Sequence, residues 1–215
     1  MVTEKRKCIL RILVIFILSY LLSFLSALFL DFAIDNLSVV LRLVGILFSL
    51  YLLILLSWQE KIRPLGLWNF SGKLSWKIVG VAVLLGCMLY GIGNIFCELF
   101  HKPVVHQDYE FSVFIMRLFS SVFLAAFAEE LFCRKFVITS MESSEFSPVV
   151  IALFSSFLFY LGHVDFLASD YHQIETFIMG VILYFFYTKT REVRYCMIVH
   201  ATGNLLAVIH QLWIV

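Results

Sequence analysis

The 215-residue chain is 62% hydrophobic and 14% charged, with a formal net charge of +1. Soluble domains average about 45–50% apolar and about 25% charged residues, so this apolar excess cannot be hidden inside one water-facing globule. So small a net charge supplies no broad basic field and argues against nucleic acid as the main partner.

A helix needs roughly 17–25 apolar residues to cross the hydrocarbon core of a bilayer. The first such run goes from Cys8 to Leu30, the second from Leu37 to Trp58 and the third from Ile78 to Phe100. The fourth begins near Phe111 and continues past Ala128 into a polar cluster. The fifth follows Pro148 and ends near Gly162, the sixth lies around Ile174 to Tyr187, and the last runs from Tyr195 to Val215. The expected fold is all-α, a polytopic transmembrane bundle of about seven spans. It divides into an N-terminal three-span region (1–110) and a four-span core (111–215) within one compact membrane domain.

The punctuation follows these borders. Pro64, Pro103 and Pro148 fall between spans or at a span start, where a missing N–H is tolerated. Trp58, Trp68, Trp76 and Trp213 fall near span ends, as an interfacial belt requires. The first run starts on Lys5-Arg6-Lys7 but is too long for a signal-peptide core of about 7–15 residues, so it is read as a span. Cys8, Cys87, Cys97, Cys133 and Cys196 form no C-x-x-C pair and read as small buried hydrophobes. Gly91-Ile92-Gly93 reads as helix packing, without the remainder of a phosphate-loop fingerprint.

Basic residues alternate between loops. Lys5, Arg6, Lys7 and Arg11 lead the first span; Lys61, Arg63, Lys73 and Lys77 follow the second; Arg134 and Lys135 close the fourth; Lys189, Arg191 and Arg194 follow the sixth. The intervening loops carry Lys102 alone. This places the N-terminus in the cytoplasm and the C-terminus outside, in a multi-pass protein; the small size and the lack of an endoplasmic-reticulum retrieval signal lean towards a bacterial plasma membrane.

Ionisable groups inside an apolar helix cost about 2.5–3.5 kcal/mol each on insertion scales and mark function by default. The richest cluster is Glu129-Glu130-Leu131-Phe132-Cys133-Arg134. Glu130 and Arg134 are four apart, share a helix face and can pair. Glu129 points about 100° away and is free to address a cavity and bind water. His163 closes the fifth span, and His200 and Asn204 share a face of the seventh, with Gly203 between them allowing close approach. Their bland reading is interfacial histidine and interhelical polar contacts. His101, His106, Asp165, Asp170 and His172 read as loop residues, Asn94 and Glu98 as snorkelling side chains, and Arg42 and Arg117 as intraspan cations whose partners the sequence does not identify.

The ordered set E-E-x-x-x-R (Glu129, Glu130, Arg134), F-x-x-x-H (Phe159, His163) and H-x-x-x-N (His200, Asn204), each on an apolar helix, resembles the CAAX protease and bacteriocin-processing family, also called Abi, whose eukaryotic members include the type II CAAX prenyl endopeptidase. The resemblance covers the chain from about Phe111 onward, and Gly180 echoes a small residue of that family in span six. F-x-x-x-H by itself carries little information among 23 Phe and six His; the order of the three motifs carries the resemblance.

The resemblance implies an intramembrane endopeptidase in which Glu129 and His163 position and deprotonate water while His200 and Asn204 form the oxyanion site. Glu130 and Arg134 would hold their helix in register. The implied partners are a peptide or lipidated protein tail and the lipid bilayer, with roles in bacteriocin maturation or self-immunity. No cofactor is expected; zinc on Glu129, His163 and His200 is the rival mechanism, though no H-E-x-x-H supports it. Two further readings compete: a non-enzymatic immunity or membrane partner, and a small proton-relay transporter, the latter disfavoured by the lack of an internal repeat. One geometric tension is evident. Counted along straight helices, Glu129, His163 and His200 lie about 15, 24 and 8 Å from the cytoplasmic loops, depths that only tilted or staggered spans can reconcile.

Overall fold

The computed structural model describes residues 2–31, 37–99, 111–163 and 174–213, with side chains for 2–26, 43–95, 114–163 and 174–210. Arg42, Cys97, Glu98, His101, Lys102, Pro103, His106, Asp165, Asp170, His172 and Trp213 were singled out in sequence and lie outside the described side chains.

The described residues form seven helical rods and no strand. They are α1 (Val2–Asp31), α2 (Leu37–Ile62), α3 (Trp76–Leu99), α4 (residues 111–142), α5 (Pro148–Leu161), α6 (Ile174–Thr190) and α7 (Val193–Trp213). α4 is a composite. Phe111–Arg117, Ala126–Glu130 and Ile138–Glu142 are α-helical, whereas Leu118–Ala125 and Leu131–Val137 between them are π-helical. Such wide turns inside an α-helix cluster at functional sites.

The seven runs read from sequence thus correspond to seven rods, but not to seven proven crossings. By length and composition, Val2–Ser26, Leu43–Ile62 and Trp76–Ile95 qualify as spans among the described residues. α5 has only 14 residues, about 21 Å at 1.5 Å per residue, against a core about 30 Å thick. α4 and α7 interrupt their apolar runs with the motif residues themselves.

Polarity is distributed as a membrane requires. Leu10, Val14, Ile17, Leu21 and Phe24 of α1, and Val81, Leu84 and Met88 of α3, are exposed. Ser19, Ser23, Ser155, Ser156, Glu130, Arg134 and His200 are buried. A soluble monomer does not display so broad an apolar exterior around so polar an interior. The helix-borne serines settle their hydroxyls locally, Ser19 donating to the Ile15 carbonyl and Ser23 to that of Ser19. Of the cysteines, Cys8, Cys133 and Cys196 are buried as expected, but Cys87 is exposed, because it sits on the apolar outer face of α3.

The connections explain how the rods register. Ser147 caps α5 by accepting from Val150 N, with Pro148 at the first helical position, where it loses no hydrogen bond. α6 and α7 are joined by two residues, with Arg191 at φ 53° bonding back to Tyr187. Arg191 also donates to both oxygens of Glu142 at 2.9 Å, tying that turn to the end of α4. α1 packs on α2, α5 on α6 and α3 on α7, so the N-terminal helices lie directly against those that carry the motifs.

Glycine placement corrects one expectation. A Cβ on Gly91 or Gly93 would meet nothing within 4 Å among the described residues, so neither is a packing contact there. The close approach occurs at Gly86, where a Cβ would stand 2.6 Å from the Val199 carbonyl and 2.7 Å from Thr202 Cβ. Gly180 plays the same part between α6 and α5, facing Ser156 Cα at 2.9 Å.

Candidate active site

The two adjacent glutamates of α4 lead separate lives. Glu130 is fully buried, and its Oε2 lies 2.9 Å from Nε of Arg134, also fully buried, in a contact of charges rather than an aligned hydrogen bond. Arg134 reaches further partners on α5: its Nη1 donates to Ser155 Oγ at 3.1 Å, and its guanidinium lies 4.7 Å from the Phe159 ring centre. Ser155 in turn donates to the Cys133 carbonyl at 2.9 Å. A buried ion pair holds only when such additional bonds compensate its desolvation.

Glu129 has no comparable support. Its Oε2 is buried and has no hydrogen-bond partner among the described residues, yet it stands 3.5 Å from Nε2 of His163. His163 directly follows the end of α5, and its Nδ1 lies 2.8 Å from the Phe159 carbonyl. A carbonyl only accepts, so Nδ1 carries a hydrogen and the ring turns its Nε2 towards Glu129. At 3.5 Å the two atoms are close enough for one species set to one side to bond both.

His200 enters from α7, fully buried, with Nδ1 3.1 Å from the remaining oxygen of Glu130. Glu130 therefore fixes which nitrogen of His200 is held and leaves Nε2 for the site. The Phe159 ring packs edge-on against His200, and the two imidazole centres are 5.9 Å apart. One ligand-type atom from each of Glu129, His163 and His200 lies within 4.8 Å of the others. The depth mismatch counted along straight helices is therefore closed. α7 starts beside the end of α4 through the Arg191–Glu142 contact, which sets His200 and the α4 glutamates in common register.

Asn204 lies one turn beyond His200. Its Nδ2 donates to the Ser121 carbonyl at 2.7 Å, inside the first π stretch of α4. This bond uses one of two amide hydrogens and leaves the second for another acceptor. Gly203, expected to permit close approach, lies near the Gly86 carbonyl of α3, 3.8 Å from its notional Cβ.

Sequence reading had not named Ser155, Ser121 or Gly86. Ser155 sits in the short pair Ser155-Ser156 within an apolar helix, a polar interruption that is itself a signal. Gly86 had no such mark among the glycines of α3, and Ser121 contributes only its backbone.

The three gathered atoms resemble a metal-ligand set in chemistry but less so in dimension. Zinc bonds of about 2.0–2.2 Å in a tetrahedron need ligand atoms about 3.3–3.5 Å apart. Glu129 and His163 meet that spacing at 3.5 Å, while the set as a whole extends to 4.8 Å.

The model of the family described as Type II CAAX prenyl endopeptidase Rce1-like matches residues 111–206. No curated protein and no solved structure matches the chain. The matched segment contains Glu129, Glu130, Arg134, His163, His200 and Asn204, the side chains that the fold brings together. Residues 111–206 are thus similar to the Rce1-like family of type II CAAX prenyl endopeptidases, over a little under half of the chain.

Proposed function

We propose that this chain is an intramembrane endopeptidase that hydrolyses a peptide or lipidated protein tail with a glutamate-activated water and without a metal cofactor. The observation that carries this reading is the buried Oε2 of Glu129, without a hydrogen-bond partner among the described residues, facing Nε2 of His163 at 3.5 Å. A water held between them gives one proton to Glu129 while its oxygen attacks the scissile carbonyl carbon. Negative charge collects on the carbonyl oxygen. The free amide hydrogen of Asn204 is one donor for it. When His200 carries both protons, Nδ1–H stays on Glu130 and Nε2–H is the second donor. The proton on Glu129 passes to the leaving nitrogen as the C–N bond breaks, yielding an amine and a carboxylic acid, which gives its own proton to solvent on release. In a bacterial plasma membrane, the same chemistry suits bacteriocin maturation or self-immunity.

The test compares new peptide termini, by mass spectrometry, in host membranes carrying the wild type, Glu129→Gln or His200→Ala at matched expression. Termini present only with the wild type are the expected result and identify the substrate. Identical termini in all three, with an immunity phenotype that Glu129→Gln leaves intact, would replace the protease by a non-enzymatic immunity partner.

A further inference from the structure

A helix ends with carbonyls that its own turns cannot satisfy. At the end of α5 they are accounted for one by one. The Leu158 carbonyl accepts from Gly162 N at 3.0 Å, that of Phe159 from the His163 ring at 2.8 Å, and that of Tyr160 from His163 N at 2.9 Å. The fourth, Leu161, accepts from Tyr20 Oη of α1 at 3.0 Å. In that set Tyr20 is the partner from another helix, 141 residues away in sequence.

Tyr20 is built into place. Its ring lies 4.5 Å from that of Phe48 on α2 and 5.1 Å from that of Phe16, which stacks on Phe132 of α4. The phenol is part-buried and within electrostatic reach of Glu129. It lies against residues 161–162, the two that immediately precede His163.

We propose that Tyr20, outside the segment that the family model matches, is a positioning residue for His163: by holding the Leu161 carbonyl it fixes the last turn of α5 and so the placement of the imidazole against Glu129. The N-terminal region is then part of the catalytic apparatus. The kinetic consequence rests on the protease reading, whereas the structural one does not.

The experiment uses the full chain in lipid nanodiscs, as wild type, Tyr20→Phe and Tyr51→Phe. Tyr51→Phe removes a comparable hydroxyl contact of α1, the 2.8 Å bond between Ser26 and Tyr51, away from the motif residues. Hydrogen exchange of the amides at 162 and 163 is expected to accelerate roughly tenfold in Tyr20→Phe and to stay unchanged in Tyr51→Phe. For Tyr20→Phe, kcat per folded protein is expected to fall on the order of tenfold with KM within about twofold, because misplacement of a catalytic group is felt in the chemical step. Unchanged protection at 162–163 overturns the proposal, as does a kcat per folded protein equal to the wild type. The exchange measurement needs no catalysis, so it judges Tyr20 even if cleavage proves independent of Glu129, the outcome that would sink the protease reading itself.

Discussion

The carboxylate of Glu130 is shared between two helices: one oxygen faces Nε of Arg134 at 2.9 Å, the other faces Nδ1 of His200 at 3.1 Å. All three side chains are buried. Removing one member of such a buried set leaves an uncompensated charge, which typically costs about 3–5 kcal/mol. Glu130→Ala should therefore lower the unfolding midpoint in detergent markedly and release His200 at the same time. A Glu130→Ala protein as stable as the wild type would show that the set contributes little.

Glu129 should behave in the opposite way. Its unpartnered buried oxygen is a cost to the fold, so Glu129→Gln is expected to leave the unfolding midpoint unchanged or raised. Cleavage should meanwhile fall by at least about 10²-fold, the lower range for loss of a general base. Parallel measurement of stability and turnover separates this residue from its neighbour.

Metal independence is open to direct trial. After exhaustive dialysis against a chelator, cleavage should persist, and added zinc should not raise it. Activity lost on chelation and restored by zinc would assign the metal to Glu129, His163 and His200.

Gly86 of α3 predicts a remote effect. Gly86→Ala places a methyl against the Val199 carbonyl, and forced overpacking of this kind costs typically about 1–3 kcal/mol. The helix it pushes carries His200 and Asn204, so turnover should fall along with stability. Gly91→Ala on the same helix meets no neighbour and should be neutral or stabilising by up to about 1 kcal/mol through helix propensity. Unfolding curves of the two variants, set side by side, check the contrast.

The α6–α7 turn carries a pH dependence. Arg194 donates to Glu192 at 2.7 Å and also bonds the Gly72 carbonyl of the α2–α3 loop. The Arg194 hydrogen bond holds the Glu192 carboxyl below its ordinary value of 4.5. Its native value lies below its unfolded one, so this contribution is complete above the ordinary value and is lost as pH falls through the native one. Acidification below about 4.5 should loosen residues 63–75 in the wild type. Glu192→Gln should remove part of that response, as read from Trp68 emission with the other three tryptophans replaced by Phe.

The motif residues were legible because each polar group stands alone in an apolar helix, and helix periodicity says which neighbours share a face. Glu130 with Arg134, and His200 with Asn204, needed only a spacing of four. The convergence of Glu129, His163 and His200 was not legible, since counting residues along a helix says nothing of how the rods tilt and stagger against one another. Gly86, Tyr20 and the Ser121 carbonyl carry no local signature, because what singles them out is a neighbour from a distant helix. The short α5, by contrast, was legible, because Pro148 and Gly162 bound it in sequence.

The π stretches on either side of Glu129 and Glu130 also set a limit on inference by alignment. Each widened turn absorbs surplus residues, so the outward and inward faces before Leu118 stand in a different phase from those after Val137. A relative with one residue fewer in Leu118–Ala125 can keep both carboxylates aimed inward while turning its upstream face elsewhere. Gaps of a single position in this helix are thus to be read as changes of phase and not as loss of the two carboxylates.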